Sequence, residues 1–210
     1  MAALRDGGGR LISAVLATGN SGKLREFQSL LGDRVVLLPQ SEFGISGVAE
    51  TGSTFAENAL LKARHASELT GLPAIADDSG LEVDILDGAP GIRSARYAGE
   101  ESRDVDNVAR LLADLAGVDA ADRTARFRCV VVFLRNADDS LPLIAEGIWE
   151  GRIAMESCGK YGFGYDPVFL DAETGVTAAQ LSATEKNCRS HRGAAVRQLR
   201  RQIRTLISKE

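Results

Sequence analysis

The segment Leu72-Pro73-Ala74-Ile75-Ala76-Asp77-Asp78-Ser79-Gly80 constrains the fold more than any other stretch of this chain. Its apolar run has the length and composition of a buried strand. Two aspartates follow at once, so the strand is expected to end there and to carry negative charge to the rim of a sheet. In an open α/β sheet, ligands bind at the carboxyl ends of the strands. Two adjacent carboxylates repel each other unless a cation or a proton lies near. Hard cations such as Mg²⁺ take oxygen ligands of this kind. The plainer alternative is a polar turn built on Asp-Ser-Gly.

The rest of the chain supports an α/β reading. Leu11 to Ala17 is an apolar run that reads as a first strand. Leu24, Phe27, Leu30 and Leu31 then recur at helical spacing, and Gly32 ends that helix. Val35 to Leu38 reads as a strand, and Thr54 to Thr70 as a helix stopped by Gly71. Gly88-Ala89-Pro90-Gly91 breaks the chain, and Val105 to Leu115 marks another helix. Ala125 to Leu134 and Leu141 to Trp149 read as two longer strands joined by a turn at Asn136-Ala137-Asp138-Asp139. A final helix is expected over about Gly193 to Ile207. Strands alternate with helices early and pair as a hairpin later, which predicts a long mixed central sheet with flanking helices.

Composition bounds the function. The 210 residues are 44% hydrophobic and 26% charged, enough for one globular domain with a substantial core. The net charge of -4 gives no sign of a surface that coats nucleic acid. Three cysteines, Cys129, Cys158 and Cys188, are odd in number and far apart, which fits a reducing cytoplasm better than a disulfide framework. No apolar stretch reaches the length of a membrane span. Met1 to Arg10 is Gly-rich and lacks the apolar core of a signal peptide, so it is expected to be a flexible extension before a single domain over 11–210.

Several motifs carry chemistry. Thr18-Gly19-Asn20-Ser21-Gly22-Lys23 is a strand-to-helix turn whose helix terminus suits an anion, with Lys23 as a point charge. It matches neither the Walker pattern nor G-x-G-x-x-G, and a simple capped turn is the structural alternative. Thr54 and Glu57 form a capping box. Glu50 has no such structural task, and becomes a metal candidate if the fold brings it near Asp78. Tyr161 to Phe169 gathers aromatics and glycine in a chain only 5% aromatic, which suits stacking on a flat base. Ser190 caps the last helix, where His191 and Arg192 stand either as base-edge donors or as a solvated basic start.

Taken in order, these segments resemble the inosine/xanthosine triphosphate pyrophosphatase family over about residues 11 to 207. The residues that carry the resemblance are Thr18-Gly19-Asn20-x-x-Lys23, Glu50-Thr51-Gly52-x-Thr54-Phe55-x-Glu57-Asn58-Ala59, Ala76-Asp77-Asp78-Ser79-Gly80-Leu81, Gly88-Ala89-Pro90-Gly91, Ser94-Ala95-Arg96-Tyr97, Phe163-Gly164-Tyr165-Asp166-Pro167 and Ser190-His191-Arg192. The resemblance implies a cytoplasmic homodimeric hydrolase. It would cleave ITP, dITP and XTP to the monophosphate and pyrophosphate with Mg²⁺, and have two lobes around a deep nucleotide-binding cleft. It also implies residue roles. Thr18 to Lys23 would hold the triphosphate, and Glu50 and Asp78 the metal. Asp78 would accept the proton of water, and Ser79 would contact substrate. Phe163 to Asp166 would line the base pocket, with Lys186, His191 and Arg192 also touching substrate. Side chains alternate along a strand, so Asp77 is expected to support Asp78 and not to share its ligand.

Overall fold

The computed structural model describes residues 5–6, 9–10, 12–32 and 35–209. Two short strands, β1 (Arg5–Asp6) and β2 (Gly9–Arg10), pair antiparallel within the segment expected as an extension. The rest of that extension, and Leu11 of the expected first strand, lie outside the described residues.

A six-stranded sheet follows, made of β3 (Ile12–Leu16), β4 (Val35–Pro39), β5 (Ala74–Val83), β6 (Thr124–Leu134), β7 (Leu143–Ile153) and β8 (Phe169–Asp171). Its order is β4-β3-β5-β6-β7-β8. β3 runs parallel to both β4 and β5, whereas β7 and β8 are antiparallel, so the sheet is mixed as expected. The helices are α1 (Ser21–Leu31), α2 (Phe55–Thr70), α3 (Asp104–Asp114), α4 (Ala183–Arg189) and α5 (His191–Lys209). Short β8 and α4 were not expected from the pattern. α4 has only seven residues and shows itself mainly by its capping box, Ser182 with Glu185.

One expectation is corrected. β5 does not end at Asp77-Asp78 but passes straight through them to Val83, and Ser79-Gly80 is strand, not turn. Asp77 is 1% exposed and Asp78 6%. Buried carboxylates in mid-strand are costly unless countered, and each has a lysine partner described below. With the charges answered, continuation of the strand wins over the turn chemistry of Asp-Ser-Gly. β7 likewise runs past Trp149 to Ile153.

Internal contacts divide the chain into two compact units. The first comprises Met1–Asp78, Val130–Glu146 and Ala194–Glu210. Its core sets Ala59, Ala63 and Ala66 of α2 against Val15, Ala74, Ala76 and Val132, and small alanines let helix and sheet approach closely. The second comprises Ser79–Cys129 and Gly147–Gly193. Its core is bulkier, with Leu111, Leu115, Phe127, Trp149, Tyr165 and Phe169. Burying each such large side chain contributes about 1.5–3 kcal/mol. No described helix is long and apolar enough to cross a membrane.

Candidate active site

In the first unit the charged groups gather around the middle of β5. Asp77 meets Lys23 of α1 at 3.0 Å. Asp78 meets Lys62 of α2 at 2.9 Å. The two aspartates therefore serve different helices, as strand alternation requires. Lys62 Nζ also donates to Glu50 Oε1 at 2.7 Å, so a single ammonium joins Glu50 to Asp78. The condition set for Glu50 as a metal candidate, that the fold bring it near Asp78, is met through Lys62. Burial pushes the Asp78 carboxyl above the usual aspartate range, against the opposing pull of Lys62. Burial works to lower the Lys62 ammonium, but its acidic neighbours, led by Asp78, prevail and leave it raised.

Local sequence explains this placement. Thr54 caps α2 with its capping box, and the side chain of Glu57 is spent there, as expected. Asn58 is fully buried on that helix; its Oδ1 accepts from Gly52 N at 2.8 Å and its Nδ2 donates to Asp78 Oδ2 at 3.3 Å. A Cβ at Gly52 would lie 2.7 Å from Asn58 Oδ1, so only glycine lets the loop that carries Glu50 seat against α2. Asn58 and Lys62 were given no role from the sequence. They lie one turn apart beside the apolar stripe Phe55, Ala59, Ala63, Ala66, and polar residues bordering a core stripe were the available signal.

The Thr18 to Lys23 turn sits where expected. Asn20 caps α1, with its side chain accepting from Gly22 N and Lys23 N. Thr18 Oγ1 accepts from Asn20 N at 3.2 Å. Gly19 and Ser21 are exposed, Gly22 is buried, and the first turn of α1 holds no acidic residue. The cap already engages two of the first-turn amides. Anion attraction here therefore rests on the helix dipole, the remaining terminus and Lys23.

The second unit gathers the aromatic and basic residues. Asp166 is 2% exposed, accepts from Phe163 N at 2.9 Å, and pairs with the buried Lys186 of α4. Lys186 Nζ lies 4.7 Å from the centre of the Phe163 ring, and Arg192 Cζ lies 5.8 Å from it. Arg192 Nη2 donates to Ser79 Oγ at 2.8 Å. His191 stacks on Phe127, ring centres 4.7 Å apart and planes 12° off parallel. Ser190 caps α5 by accepting from Gly193 N. His191 and Arg192 are 5% and 2% exposed, which rules out a solvated basic helix start. Ser79, Phe163, Asp166, Lys186 and Arg192 are thus brought together. Gly164 and Tyr165 belong to the same loop, although the Tyr165 hydroxyl turns away to Ser94 O.

Fold and charged strand define an α/β protein whose mixed sheet carries acidic residues in an interior strand, each countered by a helix lysine. This chain belongs to the Ham1 family, which matches residues 14–202. It is 59% identical, over 87% of its length and 94% of the relative's, to the "dITP/XTP pyrophosphatase" of Thioalkalivibrio sulfidiphilus. With the "dITP/XTP pyrophosphatase" of Vibrio parahaemolyticus it shares 56% identity, covering 90% and 95%. Among solved structures, a HAM1 protein from Coxiella burnetii superposes with a TM-score of 0.85 at 48% identity, covering 93% of this chain and all of that one.

Proposed function

We propose that this protein hydrolyses non-standard purine nucleoside triphosphates, ITP, dITP and XTP, to the monophosphate and pyrophosphate, and so clears them from the nucleotide pool. The observation that carries the reading is the Glu50, Lys62, Asp78 constellation beside Lys23, in a chain whose relatives bear the name dITP/XTP pyrophosphatase.

Asp78 is the proton acceptor. A carboxyl held above its usual range is a stronger base near neutral pH. Water attacks the α-phosphorus: a P–O bond forms to the water oxygen, the bond to pyrophosphate breaks, and the water proton passes to Asp78. Lys23 and the α1 terminus hold the polyphosphate, and Asp77 holds Lys23. Among the described residues no three acidic, histidine or cysteine side chains cluster as a complete metal cage. Two carboxylates plus substrate phosphates are nonetheless a normal ligand set for Mg²⁺. Glu50 and Asp78, which already share one cation, fit that role. Bound there, Mg²⁺ would supply charge neutralisation for the phosphate oxygens and the leaving group.

In the second unit, Phe163 stacks on the base and Lys186, His191 and Arg192 supply positive or donor groups for a 6-keto purine. A 6-amino purine would present donors to them, and a polar site rejects such a mismatch strongly. Free thiols at Cys129, Cys158 and Cys188 support a cytoplasmic setting. A homodimer is part of the same proposal.

The test is pyrophosphate release from ITP, XTP, dITP, dUTP, GTP and ATP, with and without Mg²⁺. The 6-keto non-standard purines should lead and Mg²⁺ should be required. Asp78→Asn should cut turnover by about 10²–10⁴-fold while nucleotide binding persists. Tight ITP binding by the native chain without pyrophosphate release would make it a sensor instead.

A further inference from the structure

The motif Ser94 to Tyr97 and the helix α3 have no part in the function proposed above, yet they converge on the loop that carries Phe163. Gly164 N donates to Asp104 Oδ2 at 2.7 Å. The Tyr165 hydroxyl donates to the backbone oxygen of Ser94 at 2.8 Å. Tyr165 is only 5% exposed, and its ring packs in the core of the second unit. Burial pushes the hydroxyl pKa well up, which keeps it a donor.

Both anchor points share one frame. Ser94 Oγ accepts from Leu81 N of β5 at 2.9 Å and donates to Gly91 O at 2.6 Å. α3 is tied to the same segment by buried Asn107, which accepts from Ala98 N at 2.8 Å and donates to Ala95 O at 3.1 Å. Tyr97 Oη adds a bond to Asp114 Oδ2 at 2.6 Å. The loop itself is shaped by glycine. Gly162 has φ +78°, and a Cβ there would lie 2.0 Å from Asp166 Oδ2. Beside this contact, a cavity of about 490 Å³ is lined by both the loop and α3, with Val105, Val108, Leu112, Tyr161 and Phe163 among its walls. Asp166 and Ala179 O hold the loop from its other side, and the bonds to Asp104 and Ser94 tie it to the α3 frame.

We infer that Asp104 and Tyr165 are positioning residues, latches that set Phe163 in its stacking pose before substrate arrives. The inference rests on Phe163 reading the base, as proposed above. A latch of this kind acts on substrate binding through Phe163 and leaves the chemistry at Asp78 alone.

Initial rates on dITP with the full chain and the variants Phe163→Ala, Asp104→Ala, Asp104→Asn and Tyr165→Phe test it. Phe163→Ala should raise KM by about 5- to 150-fold, the range of a lost base–aromatic stack. Asp104→Ala and Tyr165→Phe should each raise KM by roughly 3- to 10-fold, the worth of one hydrogen bond, with kcat within about twofold of native. Asp104→Asn keeps an acceptor oxygen and should stay near native. Combining Asp104→Ala with Phe163→Ala should be no worse than Phe163→Ala alone, because the first residue acts through the second. If Phe163→Ala raises KM and the latch variants do not, the latch is wrong and the base reading stands. If Phe163→Ala leaves KM unchanged, the base reading fails and the latch falls with it. Additive losses, or equal loss of kcat in Asp104→Ala and Asp104→Asn, would also overturn the latch.

Discussion

Lys62 in the first unit and Lys186 in the second are both set among carboxylates, but their surroundings differ. Lys62 is shared by Glu50 and Asp78, whose side chains keep 24% and 8% of their exposure. With Lys23 and Asp77 beside it, three carboxylates face two ammonium groups. Acids outnumber lysines there by one, and Glu50 keeps that excess within reach of solvent. Lys186 instead pairs with Asp166, at 7% and 3% side-chain exposure, and lies over the Phe163 ring. Asp166 also accepts from the backbone of Phe163, so this pair balances its own charge and fixes the loop above it. The contrast teaches that a lysine shared between two acids leaves negative charge over, whereas a one-to-one buried pair does not.

The sharpest way to break the comparison is to make one substitution at both places. Lys186→Met strands a carboxylate with almost no access to water, which should cost about 3–5 kcal/mol of stability. Thermal unfolding should then begin roughly 6–20 °C lower. Adding Asp166→Asn, which removes the orphaned charge but keeps an acceptor for Phe163 N, should restore much of the loss. A melting temperature within about 2 °C of native for Lys186→Met would remove the architectural role.

Lys62→Met should act the other way. Glu50 and Asp78 would face each other without their shared cation, and kcat should fall by about 10²-fold, equivalent to about 2.7 kcal/mol in the barrier. Its melting temperature should fall less than that of Lys186→Met, since Glu50 keeps access to solvent and Asp78 keeps the Asn58 amide as a donor. Equal loss of stability in the two lysine variants would collapse the distinction.

Much of this was legible in the sequence, but unevenly. Thr54 and Ser190 act within a few positions of themselves, so local chemistry announces them, while for α1 it leaves Asn20 and Ser21 both open. The mixed sheet followed from the alternation of strand and helix patterns. Lys62 was illegible because an isolated lysine on a helix is usually solvated, and its partners lie 12 and 16 residues away. The run of β5 through Asp77-Asp78 was misread for the same reason: turn propensity is local, and the lysines that make buried aspartates tolerable come from α1 and α2. Lys186 was reached only through the family resemblance, because a seven-residue helix leaves too short a period to read.

The smallest expected effect separates structure from binding inside the first unit. Asn20 Oδ1 accepts from Gly22 N at 2.8 Å and from Lys23 N at 3.0 Å. Asn20→Ala should therefore cost about 1 kcal/mol, or roughly 2–4 °C in melting temperature. Asn20→Asp keeps the acceptor and adds a charge that the helix dipole favours, so stability should hold. The same charge would stand where the triphosphate is proposed to lie, and like charges repel. Asn20→Asp should thus raise KM for dITP with little change in melting temperature. If instead KM stays native in Asn20→Asp, the phosphates do not approach the α1 terminus. Lys23 would then serve Asp77 alone, an ion pair that holds α1 against β5.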